Sequence, residues 1–84
     1  MPMLDAVLVL EDGAARDAEE VGDALGIPRV AACGLLLDAF RGSLVRRWAI
    51  RGHTGAPRYQ YRITVKGLAR LDWLREHQPE RLGE

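Results

Sequence analysis

The chain has 84 residues and a mass of 9.3 kDa, 48% hydrophobic and 29% charged, which leaves room for one domain with a thin core and excludes wholesale disorder. Its single cysteine, Cys33, excludes an internal disulfide and a cysteine-based zinc site, and its longest apolar run, Ala6 to Leu10, is far too short to span a bilayer. Twelve Lys and Arg cancel twelve Asp and Glu, and a pI of about 6.7 excludes a uniformly basic, histone-like nucleic-acid binder.

Met3 to Glu11 reads as a first helix, with Leu4, Val7, Leu8 and Glu11 at helical spacing and apolar residues nearly all round. Such a helix has a second apolar face to offer another subunit, and Asp12-Gly13 ends it. No basic segment precedes it, so the expectation is a cytoplasmic chain without a secretory leader. Asp17 and Glu20 have the spacing of a capping box, and Ala18, Val21, Ala24 and Leu25 make the apolar stripe of a short second helix that stops at Gly26. Pro28 suits the first turn of a third helix running to about Arg41, with Ala32, Leu36, Ala39 and Phe40 inward. Gly42-Ser43 ends that helix.

Leu44 to Arg51 and Arg58 to Thr64 are rich in β-branched and aromatic residues and are separated by a Gly- and Pro-containing link. Tyr59, Tyr61 and Ile63 alternate with Arg58, Gln60 and Arg62, which predicts a strand with one packed and one charged face. Thr64 is placed to cap a last helix over 65–78, carrying Leu68, Leu71 and Leu74 at a spacing of three, before a frayed tail at 79–84. The predicted order is α-α-α-β-β-α, an α+β, mostly helical chain forming one domain. It divides into a first helix and link (1–16), a helix-turn-helix (17–42), a hairpin (43–64), a last helix and a tail. Two helices joined by a tight turn and followed by a hairpin constitute a winged helix-turn-helix.

Charge is distributed unevenly over this frame. Residues 1–40 hold eight carboxylates against two arginines, a net −6, and residues 41–84 hold ten bases against four carboxylates, a net +6. Between 41 and 70 there are eight bases and no acid. A neutral total therefore hides a basic hairpin, which is suited to neutralising phosphates and releasing their counterions.

Three blocks, Leu25-Gly26-Ile27, Ser43-Leu44-Val45-Arg46-Arg47 and Tyr61-Arg62-Ile63-Thr64-Val65-Lys66-Gly67, stand in order and register. On these the sequence resembles the winged helix-turn-helix transcription regulators of the MarR/PadR kind, over roughly Asp17 to Leu74. The resemblance implies a homodimer on duplex DNA, with the third helix in the major groove and the wing beside it. By register the groove-facing positions are Arg29, Val30, Ala31, Cys33, Gly34 and Leu37. Only Arg29 among them can hydrogen-bond a guanine edge in bidentate fashion; Val30, Ala31 and Leu37 offer methyl groups. The expected DNA contacts are Arg29, Arg46, Arg47, Arg51, His53, Arg58 and Arg62. Leu4, Val7, Leu8, Leu37, Leu68, Leu71 and Leu74 are expected at a dimer or partner interface.

The competing assignments are weaker. Cys33 fits a small helix-contact residue better than a redox sensor, and His53 with His77 lacks the further ligands of a metal site. Trp48, Tyr59 and Tyr61 suit the core of a wing better than base stacking. No nucleophile–base pair, phosphate loop or paired carboxylate points to an enzyme or a cofactor. The alternative function is a winged-helix interaction module whose apolar third helix docks a protein partner.

Overall fold

The structure, a computed structural model, describes residues 2–50 and 58–81. In chain order they form helix α1 (Pro2–Val9), strand β1 (Arg16–Asp17), α2 (Ala18–Leu25), α3 (Arg29–Arg41), β2 (Val45–Ile50), β3 (Arg58–Ile63), α4 (Val65–His77) and a 3-10 turn at Pro79–Arg81. The strands make one antiparallel sheet in the order β1-β3-β2. Strand β1 carries no sequence signal, being two residues long with no alternation. It exists because the free edge of β3 takes a partner there, Arg16 opposite Tyr61 and Asp17 opposite Gln60.

Helix α1 ends at Val9, two residues before its predicted end, in a turn where Gly13 adopts a left-handed φ of 82°. The Arg16 guanidinium closes this turn. It donates to both carboxylate oxygens of Asp12 at 2.8 Å and to the carbonyl of Val9 at 3.1 Å, one of the carbonyls the helix end leaves without a partner. Arg16 and the Ala14 N–H hold the Asp12 carboxyl well below the usual carboxylate range.

The capping box of α2 is present as spaced: the Glu20 N–H donates to Asp17 Oδ1 at 2.8 Å and the Asp17 N–H to Glu20 Oε1 at 2.9 Å. Gly26, at φ 70°, turns the chain, and the Ile27 N–H donates to the Gly22 carbonyl at 2.9 Å. A Cβ at Gly22 would lie 2.8 Å from the Ile27 carbonyl oxygen, so the tight turn between α2 and α3 requires glycine within α2 as well as at its C-cap. Pro28 caps α3 from an extended conformation, one position ahead of the predicted first turn.

The end of α3 is a Schellman arrangement, with Ser43 N–H donating to Phe40 and Leu44 N–H to Ala39. Its left-handed position is Ser43, at φ 62°, and the glycine stands one residue early at 42. Ser43→Gly is expected to stabilise the fold by about 0.5–1 kcal/mol, read as a rise in urea midpoint at unchanged m value.

Val7, Leu10, Val21, Ala32, Leu36, Ala39, Val45, Tyr61 and Leu71 belong to one buried cluster to which α1, α2, α3, the sheet and α4 all contribute. This corrects part of the expected intersubunit surface. Leu4, Val7, Leu71 and Leu74 are at most 2% exposed within the single chain: α1 lies against α2 and α3, and Leu71 of α4 belongs to the same buried cluster as Val7. Leu8 is half-buried and Leu68 is exposed. Phe40, expected inward, is also partly exposed. An ion pair between Glu11 and Arg75 joins the turn after α1 to α4, and its hydrogen bond lowers the Glu11 carboxyl pKa. Among the described residues no helix is long and apolar enough to cross a membrane.

Candidate nucleic-acid interface

Helix α3 buries Ala32, Leu36 and Ala39. With 3.6 residues per turn, the opposite stripe is Val30, Gly34, Leu37 and Arg41. Val30 is 83% exposed, Gly34 and Arg41 are exposed, and Leu37 is half-buried. Ala31 and Asp38 flank this stripe on one side; Arg29, Cys33 and Phe40 flank it on the other. The second flank faces the wing: Arg29 and Cys33 share a cleft with Arg58 and Tyr61, and Phe40 touches Arg47.

The register of β2 with β3 sorts the wing into two faces. Val45, Arg47 and Ala49 oppose Ile63, Tyr61 and Tyr59; Arg46, Trp48 and Ile50 oppose Arg62, Gln60 and Arg58. The first face covers the helices at its base, where Val45, Tyr61 and Ile63 are buried. Farther out it presents Arg47, whose guanidinium lies 4.4 Å from the Phe40 ring centre and 4.5 Å from that of Tyr59. Two aromatic faces thus hold a positive charge at the seam between α3 and the wing.

The second face is basic. Arg46 stands directly opposite Arg62, an arrangement of like charges that is unfavourable without an anion. Arg62 donates through Nε to the Gly13 carbonyl at 2.7 Å, which fixes its base while leaving its outer N–H groups exposed. Among the described residues Arg29, Arg41, Arg46, Arg47 and Arg62 form no ion pair, whereas Arg58 is paired with Glu19 of α2 at 2.8 Å.

That pair borders a cleft of about 80 Å³ between the start of α2, the first turn of α3 and β3, lined by Asp17, Glu19, Arg29, Cys33, Arg58 and Tyr61 among others. Glu19 therefore holds the start of β3 against the helices and competes with any other anion for Arg58. Glu19→Gln is expected to raise affinity for duplex DNA roughly threefold at low salt and to steepen its salt dependence, measured by fluorescence anisotropy.

Five of the seven cations expected at DNA are described: Arg29 on α3, Arg47 at the seam, and Arg46, Arg58 and Arg62 on the outer face of the wing. Arg51 and His53 lie outside the described residues. Of the aromatics weighed for stacking, Tyr61 is core, Tyr59 holds Arg47, and Trp48 points outward from the basic face. The parts that Glu19, Phe40 and the Gly13 carbonyl play in holding arginines have no signature in the sequence. Glu19 and Gly13 meet their arginines across 39 and 49 residues of chain, and no local pattern marks such pairs. Among the described residues no group of His, Cys, Asp and Glu side chains is placed to hold a metal ion.

No protein-family model matches the sequence, and no curated protein resembles it at the sequence level. Solved structures do resemble its fold. The diamide-treated form of the transcriptional regulator YodB from B. subtilis superposes with a TM-score of 0.72 at 19% identity, over 95% of this chain and 79% of that one. A PadR-like transcriptional regulator from Bacillus cereus gives a TM-score of 0.70 at 18% identity, over 98% and 92%. MepR, a transcription regulator of a multidrug efflux pump of Staphylococcus aureus, gives 0.59 at 17%, over 98% and 64%. With a helix-turn-helix at Ala18–Arg41, a hairpin at Val45–Ile63 and a closing helix, the chain has the winged-helix fold of PadR-like and related transcriptional regulators.

Proposed function

We propose that the chain is a small DNA-binding transcriptional regulator, not an enzyme, that grips duplex DNA mainly through the cations of its wing and lays an unusually apolar α3 in the major groove. The observation that carries this reading is the basic wing beside the solvent face of α3: Arg46 faces Arg62 on its outer side and Arg47 is held at the seam, none of the three in an ion pair among the described residues. Arg29 reaches a guanine edge and Arg46, Arg47, Arg58 and Arg62 meet phosphates; Arg51 and His53, outside the described residues, are proposed to add to these contacts. A homodimer would present two such surfaces to a pseudo-palindrome. The exposed Val65, Leu68 and Trp73 of α4 and the half-buried Leu8 are among the apolar groups available for its contact. A cytoplasmic location accords with this role.

Titration of fluorescent random duplex DNA at about 50 and about 200 mM salt tests the reading. The intact chain should bind at the lower salt and lose most of its affinity at the higher one, and Arg46→Glu/Arg58→Glu should bind far more weakly. Absence of binding at low salt, or equal binding by the variant, would sink it. A second reading draws on the 83% exposure of Val30 beside Gly34 and Leu37: an apolar α3 that docks a protein. Leu37→Asp separates the two, weakening DNA binding with assembly intact on the first reading and abolishing association with a partner on the second.

A further inference from the structure

The solvent face of α3 combines three properties that together specify what it can read. It is apolar, presenting Val30, Ala31 and Leu37. It is bounded by positive charge, with Arg29 at its start, Arg41 at its end and Arg47 alongside, so its occupant is a polyanion. It also contains Gly34, where an added Cβ would meet nothing within 4 Å. Glycine inside a helix weakens it, and packing among the described residues gives no reason for one at this position. A missing side chain in the middle of an apolar, cation-bounded stripe leaves room for close approach of another molecule.

We infer that α3 reads thymine, through contact of Val30, Ala31 and Leu37 with thymine 5-methyl groups in the major groove, and that Gly34 lets the helix lie deep enough to make those contacts. The inference rests on the proposed DNA-binding function and names the sequence class of that same site. Of the groups that base pairs display in the major groove, the thymine methyl is the one an aliphatic side chain recognises favourably; the others are hydrogen-bond donors and acceptors that Val and Leu leave unpaired. Arg29, at the helix N-terminus, adds a guanine at one end. The preferred half-site is therefore T-rich with a guanine at its edge. Asp38, exposed on the flank away from the wing, disfavours close phosphate contact on that side, so the phosphate contacts fall on the arginine flank.

Replacing thymidine by deoxyuridine deletes the methyl group and leaves every hydrogen-bonding group in place. The tightest-bound duplex from a randomised pool is resynthesised with deoxyuridine and both forms are titrated against the full chain. Each contacted methyl removed should weaken binding about fourfold, the effect of exposing one methylene-sized group. Val30→Ala/Leu37→Ala should bind the thymidine duplex more weakly and lose most of the difference between the two forms, whereas Arg46→Ala should weaken both forms equally. Gly34→Ala should raise the thermal midpoint of the protein and yet weaken binding.

Equal affinity of the intact chain for the two duplexes, with strong salt dependence retained, overturns the methyl readout and leaves DNA binding standing. A thymidine preference that survives in Val30→Ala/Leu37→Ala assigns it to altered groove shape and likewise overturns the inference. Undiminished binding by Gly34→Ala overturns the role of that glycine. Failure of every duplex to bind at low salt removes the DNA-binding reading itself.

Discussion

Gly67→Ala is expected to unfold the domain at temperatures where the parent chain is fully folded, with a thermal midpoint lower by roughly 10–20 °C. A Cβ at Gly67, in the first turn of α4, would overlap the carbonyl oxygen of Leu44 and fall 2.7 Å from Cγ1 of Ile63. Neither neighbour can retreat. The Leu44 carbonyl accepts the Thr64 N–H at 3.0 Å, the Leu44 N–H is bound to Ala39 at 2.9 Å, and Ile63 is core. The added methyl must push α4 away from the junction of α3 and β2. Overpacking typically costs about 1–3 kcal/mol where side chains can shift. With a hydrogen-bonded carbonyl in the way, a loss of about 3 kcal/mol is expected, a large part of the ~4–13 kcal/mol typical of a domain this size. Gly34→Ala is the internal control. It makes the same substitution in a helix of the same length, but into open space, and should stabilise by about 1 kcal/mol. Opposite signs in parallel thermal melts would confirm the geometry; a Gly67→Ala protein as stable as its parent would refute it.

Local patterns made most of the frame legible in the sequence. The cap of α2 at Asp17 and Glu20, the stop at Gly26, the cap of α4 at Thr64 and the alternation of β3 are rules acting over a few residues, and each is present. Features set by distant partners were not legible. Strand β1 has no propensity of its own and forms only because β3 has a free edge. The leucines of the first and last helices carried the right periodicity but not its destination: an apolar stripe shows that something covers it, and here Leu4, Val7, Leu71 and Leu74 are covered within the chain. Phe40 illustrates the same limit, since its inward spacing was real but its ring serves as a platform for Arg47. For the interface, composition identified the cations and the structure sorted them. Arg58 is held by a carboxylate, Arg62 is anchored by a carbonyl, Arg47 is clasped by two rings, and Arg46 faces another arginine. That sorting gives chemically alike residues different expected behaviour.

The sharpest consequence concerns Arg47. On the proposed function, Arg47→Ala should lower affinity for duplex DNA about tenfold at about 50 mM salt, the effect of losing one charge-assisted hydrogen bond. It should also flatten the plot of log affinity against log salt by about 0.9, the counterion release of one phosphate. Phe40→Ala should behave differently. It leaves the charge in place but removes one of the two rings that hold the guanidinium, so the side chain must be ordered at the moment of binding. Affinity should then fall about threefold, within the roughly 0.5–1.5 kcal/mol of ordering a long side chain, while the salt slope stays that of the parent. Tyr59→Leu, which removes the other ring and keeps an apolar side chain on the wing, should match Phe40→Ala. The slope separates the roles: it counts phosphates neutralised and is blind to how well the arginine was placed beforehand. An unchanged slope in Arg47→Ala would move Arg47 off the phosphate backbone, and a reduced slope in Phe40→Ala would mean that the ring determines whether the contact forms at all.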